Sequence, residues 1–158
     1  MTPVETTLRS CYLAGPMRGI KDYNFPAFHE ATAWLRSEHW TVFSPAERDE
    51  ADPSIDHTVD VAGWNGSRGL DYFMAHDLKA VCEMDAVVLL PGWEKSQGAR
   101  LETMVAVEIS HPVFEIVRPY GFFGRTLRHV EPERIAAEFI AGTRAFNDLP
   151  TLAWSEVR

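Results

Sequence analysis

Two carboxylates stand where glycosidic-bond chemistry would need them. Glu102 lies just inside the helix that follows PGWEKSQGA (91–99), in its first turn, and Asp77 sits beside His76 within LDYFMAHDLKAVCEM (70–84). A carboxylate at the start of a helix is favoured by the dipole, which can be simple charge complementarity. Held behind a loop of small residues, with Gly98 preceding it, the same ionised group can act as a nucleophile. A mid-helix aspartate is ordinarily solvated. Asp77 gains interest as a partner, because two carboxylates flanking a glycosidic bond divide the work: one attacks the sugar carbon and the other protonates the leaving group. GPMRG (15–19) adds Gly15 and Gly19 for close backbone approach and the Arg18 guanidinium, a set suited to an anionic group, although such turns are also ordinary on surfaces.

Other chemistries find no pattern. There is no GxxxxGK[ST] and no GxGxxG, which argues against ATP and NAD. Neither Ser96 nor Ser67 has the GxSxG setting of a hydrolase elbow. The six histidines form no HExxH, and Cys11 and Cys82 belong to no CxxC, so no metal site is expected. Both cysteines fall in hydrophobic segments, which predicts reduced, buried thiols. No organic cofactor is implied.

The elements that must hold these residues alternate. RSCYLAG (9–15) reads as a buried strand ending at Gly-Pro, and NFPAFHEATAWLRSEH (24–39) as a helix with Asn24 at its N-cap and Phe25, Phe28, Ala31, Thr32 and Leu35 on one face. WTVFSP (40–45) is a second strand, LDYFMAHDLKAVCEM (70–84) a helix, and DAVVLL (85–90) the strongest strand, a continuous apolar run of the two-sided buried kind. ARLETMVAVEIS (99–110) and HPVFEIV (111–117) continue as helix and strand, with a weak strand signal at 126–130 and a last helix at 131–146. Alternation of this kind predicts an α/β fold, a flavodoxin- or Rossmann-like three-layer sandwich with a mainly parallel sheet of four to five strands. Residues 46–69, acidic and then Gly/Ser-rich, read as a loop or lid inserted in a single domain spanning 1–158. In such a sheet ligands bind beyond the carboxyl ends of the strands, so the loops 15–19 and 91–99 should face one cleft.

A chain of 158 residues has the size of one domain, and its composition, 46% hydrophobic and 24% charged, is that of a soluble globular protein. No apolar run approaches the roughly 20 residues of a membrane span. MTPVETTLRS shows no export or transit signal, so a cytoplasmic location is expected. The formal net charge of −8 argues against a nucleic-acid polymer as partner, while leaving room for a small anion held by one or two arginines.

YLAGPMRG, MAHDLKAVCEMDAVVLLPGW and SQGARLETMVA, in that order, resemble the nucleoside 2-deoxyribosyltransferase-like superfamily over roughly residues 10–117. Within it the chain is most similar to short phage and bacterial proteins carrying YLAGPMRG, and it is also similar to the 2′-deoxynucleoside 5′-phosphate N-hydrolases. The resemblance implies a flavodoxin-like sheet, Glu102 as nucleophile, Asp77 as the helical aspartate that assists the base or orients the sugar, and Tyr12 as the strand-one tyrosine. It places Arg18 in the ligand loop. Where the transferases have an aspartate this chain has Ser96, as the monophosphate hydrolases have a serine on the 5′-phosphate; a hydroxyl donates to a phosphate that an aspartate would repel. Pro16 departs from the hydrolases' serine, and RPYGFFGRTL (118–127) leaves Arg125 and Arg128 as phosphate contacts.

The expectation is an N-glycosidase that cleaves the base–sugar bond of a nucleoside 5′-monophosphate. Glu102, Asp77 and Tyr12 are its catalytic residues. Gly15, Arg18, Gly19, Ser96 and Gly98 line the anion side, and Met17, Phe25 and Trp93 border the base or simply pack. A deoxyribosyltransferase and a non-catalytic nucleotide sensor are the alternatives. A homodimer or higher homo-oligomer is implied by the resemblance.

Overall fold

Alternate residues of the first strand, β1 (Ser10–Ala14), serve two different layers of core. Tyr12 and Ala14 face one layer, Cys11 and Leu13 the other. The central strand β3 (Ala86–Leu89) repeats the division, with Val87 and Leu89 on the Tyr12 side and Ala86 and Val88 on the opposite side. Because successive side chains of a strand point to opposite faces, a strand buried on both must be apolar throughout, as AVVL in β3 is. The computed structural model describes residues 8–55, 69–118 and 124–144.

Helix α1 (Phe25–Ser37) covers the Cys11 face through Phe28, Ala31 and Leu35. Helices α3 (Leu70–Glu83), α4 (Gln97–Glu108) and α5 (Pro132–Arg144) cover the Tyr12 face, contributing Ala80, Val81, Ala99, Ala106 and Ile135. Each fully buried Leu, Val or Phe in these layers contributes about 1.5–3 kcal/mol. With β2 (Thr41–Phe43), β4 (Val113–Val117) and β5 (Thr126–His129) the sheet has five strands in the order β2-β1-β3-β4-β5. All neighbours are parallel except β5, which runs antiparallel to β4. The expected three-layer α/β sandwich is therefore present, with the upper number of strands. Its order reverses at β1, which pairs with β2 on one side and β3 on the other. A crevice opens at such a reversal beyond the carboxyl ends of the strands.

The amino ends of the same strands are tied by Asp85. Its Oδ2 accepts from the backbone N–H groups of Arg9 and Ser10 at 3.0 and 2.9 Å and from the Ser10 hydroxyl at 2.9 Å. These bonds hold the Asp85 carboxyl below its ordinary value and give it a structural role at the opposite end from the crevice.

Three sequence expectations change and a fourth, weak one is met. The segment expected to be a loop from residue 46 opens with a helix, α2 (Pro45–Ala51), whose N-cap Ser44 accepts from the Glu47 N–H; residues 56–68 lie outside the described residues. Asn24 does occupy the N-cap of α1, but in the left-handed conformation with φ 60°, and its side chain makes no capping bond. Cys82 is exposed rather than buried, because Val81 and not its neighbour takes the core-facing position of α3. The weak strand at 126–130 is present as the edge strand beside β4. Among the described residues no helix is long and apolar enough to cross a membrane.

Candidate active site

At the reversal of strand order, Tyr12 of β1 points into the layer covered by α3 and α4. Its ring stacks on Phe43 of β2 at 5.7 Å, and its buried hydroxyl donates to Glu102 Oε1 at 2.9 Å. Glu102 is 5% and Asp77 7% exposed, so both carboxyls lie in the protein rather than on it. Helix α4 starts at Gln97, two residues earlier than its sequence suggests, because Ser96 caps it by accepting from the Ala99 N–H at 3.2 Å. Glu102 therefore lies beyond the first turn, where the dipole has faded, and burial governs its charge instead.

Burial first, and then the charge of Asp77, raise the Glu102 carboxyl above the usual carboxylate range; the Tyr12 hydrogen bond and Arg48 oppose this. Asp77 is raised by burial and by Asp49, with Arg48 opposing most strongly. Burial and the two carboxyls together push the Tyr12 hydroxyl well above its ordinary value. Two buried acids that repel each other titrate as a pair, and the second proton leaves with difficulty.

Arg48, on α2, is the cation of this cluster and the residue the sequence reading missed. Its Nε donates to Asp49 Oδ1 at 2.8 Å, Nη2 bonds the same oxygen, and Nη2 lies 3.6 Å from Asp77 Oδ1. The guanidinium also rests over the Phe73 ring at 5.5 Å. Its signal was available in Ser44-Pro45-Ala46-Glu47, a capping-box spacing with proline at the first helical position, which announces a helix on which Arg48 and Asp49 follow.

The two flanking loops meet as expected. A Cβ on Gly92, which has φ +85°, would lie 3.6 Å from Pro16 Cγ, and Asn24 Nδ2 donates to the Pro16 carbonyl at 2.8 Å, tying the 15–19 loop to the start of α1. Gly15 is required by close approach: a Cβ there would stand 2.8 Å from Leu90 Cβ. Gly15→Ala is accordingly expected to destabilise by about 1–3 kcal/mol through overpacking. Thermal denaturation should show the midpoint falling by roughly 2–4 °C per kcal/mol.

Gly98, Ser96 and Met74 gather at Glu102: a Cβ on Gly98 would lie 3.9 Å from Glu102 Oε1, 3.9 Å from Ser96 Oγ and 3.6 Å from Met74 Cε. Ser96 Oγ spends its acceptor role on the cap and keeps a proton to donate. Arg18 and Gly19 are exposed on the outer loop, Gly19 with φ +73°. Met17 and Phe25 pack against the opposite core layer. Trp93 is a core residue, 1% exposed, with the Arg134 guanidinium 5.6 Å from its ring centroid. Arg134 also bonds Glu94 at 2.8 Å, and Arg100 Nη1 donates to the Glu94 carbonyl, so α5 and α4 together brace the 92–96 turn. Arg125 pairs with Glu30, and Arg128 Nε donates to Glu115 at 2.7 Å. Among the described residues no three His, Cys, Asp or Glu side chains group as metal ligands.

The family model described as a domain of unknown function (DUF4406) matches residues 9–115. The chain belongs to the DUF4406 family. The matched stretch runs from the start of β1 into β4, so Tyr12, Arg48, Asp77 and Glu102 all fall within the DUF4406 domain, whereas β5 and α5 follow it. No curated protein and no solved structure matches the chain.

Proposed function

We propose that this DUF4406 protein is an N-glycosidase acting on a nucleoside 5′-monophosphate. The observation that carries the reading is the buried Glu102–Asp77 pair, with Tyr12 hydrogen-bonded to Glu102, at the reversal point of a parallel sheet. Buried ionisable groups with displaced proton affinities, set against a specific charge partner, cluster at reactive sites. The resemblance to the nucleoside 2-deoxyribosyltransferase-like superfamily supports the same three residues.

In the reaction, a Glu102 oxygen bonds to the anomeric carbon as the bond from that carbon to the base nitrogen breaks. The electron pair of that bond stays on the base, which takes a proton from Asp77. Water then adds to the anomeric carbon as its bond to Glu102 breaks, giving its proton back to Asp77, releasing the sugar phosphate and restoring the Glu102 carboxylate. The Tyr12 hydroxyl stabilises the carboxylate before attack and after release. Ser96, Arg18 and the amides around Gly98 form the anion side of the cleft.

Incubation with a panel of ribo- and deoxyribonucleoside monophosphates, followed by chromatography for free base, tests this. The wild type should release base from at least one of them. Glu102→Ala should lower the rate by about 1000-fold or more, and Asp77→Asn by about 100-fold, the usual scale for losing a general acid. Absence of release from every nucleotide by the wild type, or equal release by Glu102→Ala, would sink the catalytic reading.

A further inference from the structure

We propose that Arg48 is a positioning residue that decides which of the two buried carboxyls holds the site's proton, and that an anionic group on the ligand resets this choice by drawing the guanidinium off Asp77. The catalytic consequence rests on the glycosidase reading, but the charge arrangement does not.

The starting point is a mismatch between place and role. A nucleophile must be ionised and its partner acid protonated. Arg48 stands 3.6 Å from Asp77, the acid, whereas Glu102, among the described residues, accepts from the neutral Tyr12 hydroxyl, which favours the ionised form of Asp77 as well. A cation that close favours the ionised form of its neighbour. In the ligand-free protein Asp77 therefore gives up its proton first and Glu102 keeps its own, the reverse of what attack on a sugar carbon requires. Among the described residues the charged and titratable groups that act within this cluster are Arg48 and Asp49 on α2, His76 and Asp77 on α3, Tyr12 on β1 and Glu102 on α4. Arg48 is the cation that acts on all three of Tyr12, Asp77 and Glu102.

Among the described residues two buried atoms of these side chains have no hydrogen-bond partner, Arg48 Nη1 and Asp77 Oδ1, the oxygen that Nη2 approaches. The contact between the two side chains is thus an ion pair without a hydrogen bond, weaker than the hold of Asp49 on Nε. A phosphate oxygen offers the guanidinium a charge-assisted bond at Nη1, stronger than the 3.6 Å approach of Nη2 to Asp77. As the guanidinium turns toward it, Asp77 loses its counter-ion and becomes the more basic carboxylate. The O–H bond of Glu102 breaks and one forms on Asp77, leaving the charge of the pair unchanged. Tyr12 remains bonded to the carboxylate left on Glu102. An ionised nucleophile and a protonated acid then coexist only when an anionic ligand is present.

Carbon-13 NMR of protein labelled at its Asp and Glu carboxyls tests this, with Asp77→Asn and Glu102→Gln assigning the two signals. In the wild type Asp77 should ionise before Glu102. In Arg48→Met its midpoint should rise by about one pH unit or more, the size of effect a close counter-ion has. Adding inorganic phosphate or 2′-deoxyadenosine 5′-monophosphate to the wild type at neutral pH should move the Asp77 signal toward its protonated position and the Glu102 signal toward its ionised one. An Asp77 midpoint unchanged by Arg48→Met, or a wild-type spectrum unmoved by both anions, overturns the proposal. The wild-type anion titration requires no variant and decides the matter even where Arg48→Met does not fold. If the signals move as described while no nucleotide releases base, the glycosidase reading fails and the proton assignment stands.

Discussion

Glu102→Gln is expected to abolish base release and at the same time to make the protein more stable above neutral pH. In the fold, burial and Asp77 raise the Glu102 carboxyl above its unfolded value. Between those two values the folded protein binds more protons than the unfolded chain. Its stability is then full below the ordinary carboxylate range and is lost as pH rises through the raised value. Glutamine has nearly the same shape, can still accept from the Tyr12 hydroxyl, and carries no charge to desolvate. The variant should match the wild type in melting temperature below the ordinary carboxylate range, exceed it increasingly as the pH rises toward about 8, and keep that margin above it. Each unit of upward displacement corresponds to about 1.4 kcal/mol, and each kcal/mol to roughly 2–4 °C in a domain of this size. Melting curves of both proteins across that pH range are the measurement. A difference that stays constant with pH would mean that Glu102 carries no electrostatic strain in the fold.

That trade between stability and charge explains why the site was partly legible in the sequence. Nothing in the folding of α4 asks for a glutamate at a buried position, and a carboxylate beside Leu101 and Met104 behind a small-residue loop stands out on that ground. Asp77 stands out less, because a lone mid-helix aspartate has no local mark of burial. Tertiary packing encloses it, α3 lying beside α4 with Arg48 of α2 3.6 Å away. The sheet was legible for a simpler reason: β1 from Cys11 onward and β3 are buried on both faces and, but for the Tyr12 hydroxyl, apolar. What escaped was decided by local backbone and by tertiary contact. The acidic residues after Glu47 obscured a well-capped helix, and with it Arg48, whose relevance comes from a side chain reaching α3 across sequence. Asn24 looked like a side-chain cap, yet three successive residues, Asp22, Tyr23 and Asn24, adopt positive φ. That turn directs the Asn24 amide to the Pro16 carbonyl. The sequence therefore pointed to a helix start where the structure also has a brace for the ligand loop.

Tyr12→Phe is the second large effect expected, and its pH dependence separates electrostatics from packing. Tyr12 is 1% exposed, and its ring stacks on Phe43, so phenylalanine keeps the packing and loses one O–H. That O–H donates to Glu102, and a hydrogen bond to a charged group contributes about 1.5–3 kcal/mol. Without it the Glu102 carboxyl rises further, because the bond favoured the ionised form. Fewer molecules then carry an ionised nucleophile at neutral pH, and base release should fall by about 10–100-fold, the kinetic equivalent of that energy. The acid limb of the pH–rate profile should move upward, so that the deficit narrows as pH rises. Stability follows the same sign: with the folded-state value of Glu102 raised further above its unfolded one, the variant should lose stability more steeply than the wild type as the solution becomes alkaline. At acidic pH the two should differ little. A loss of activity equal at every pH, with parallel melting curves, would instead place the hydroxyl in the packing of β1 against β2 and leave the charge of Glu102 to burial, Asp77 and Arg48 alone.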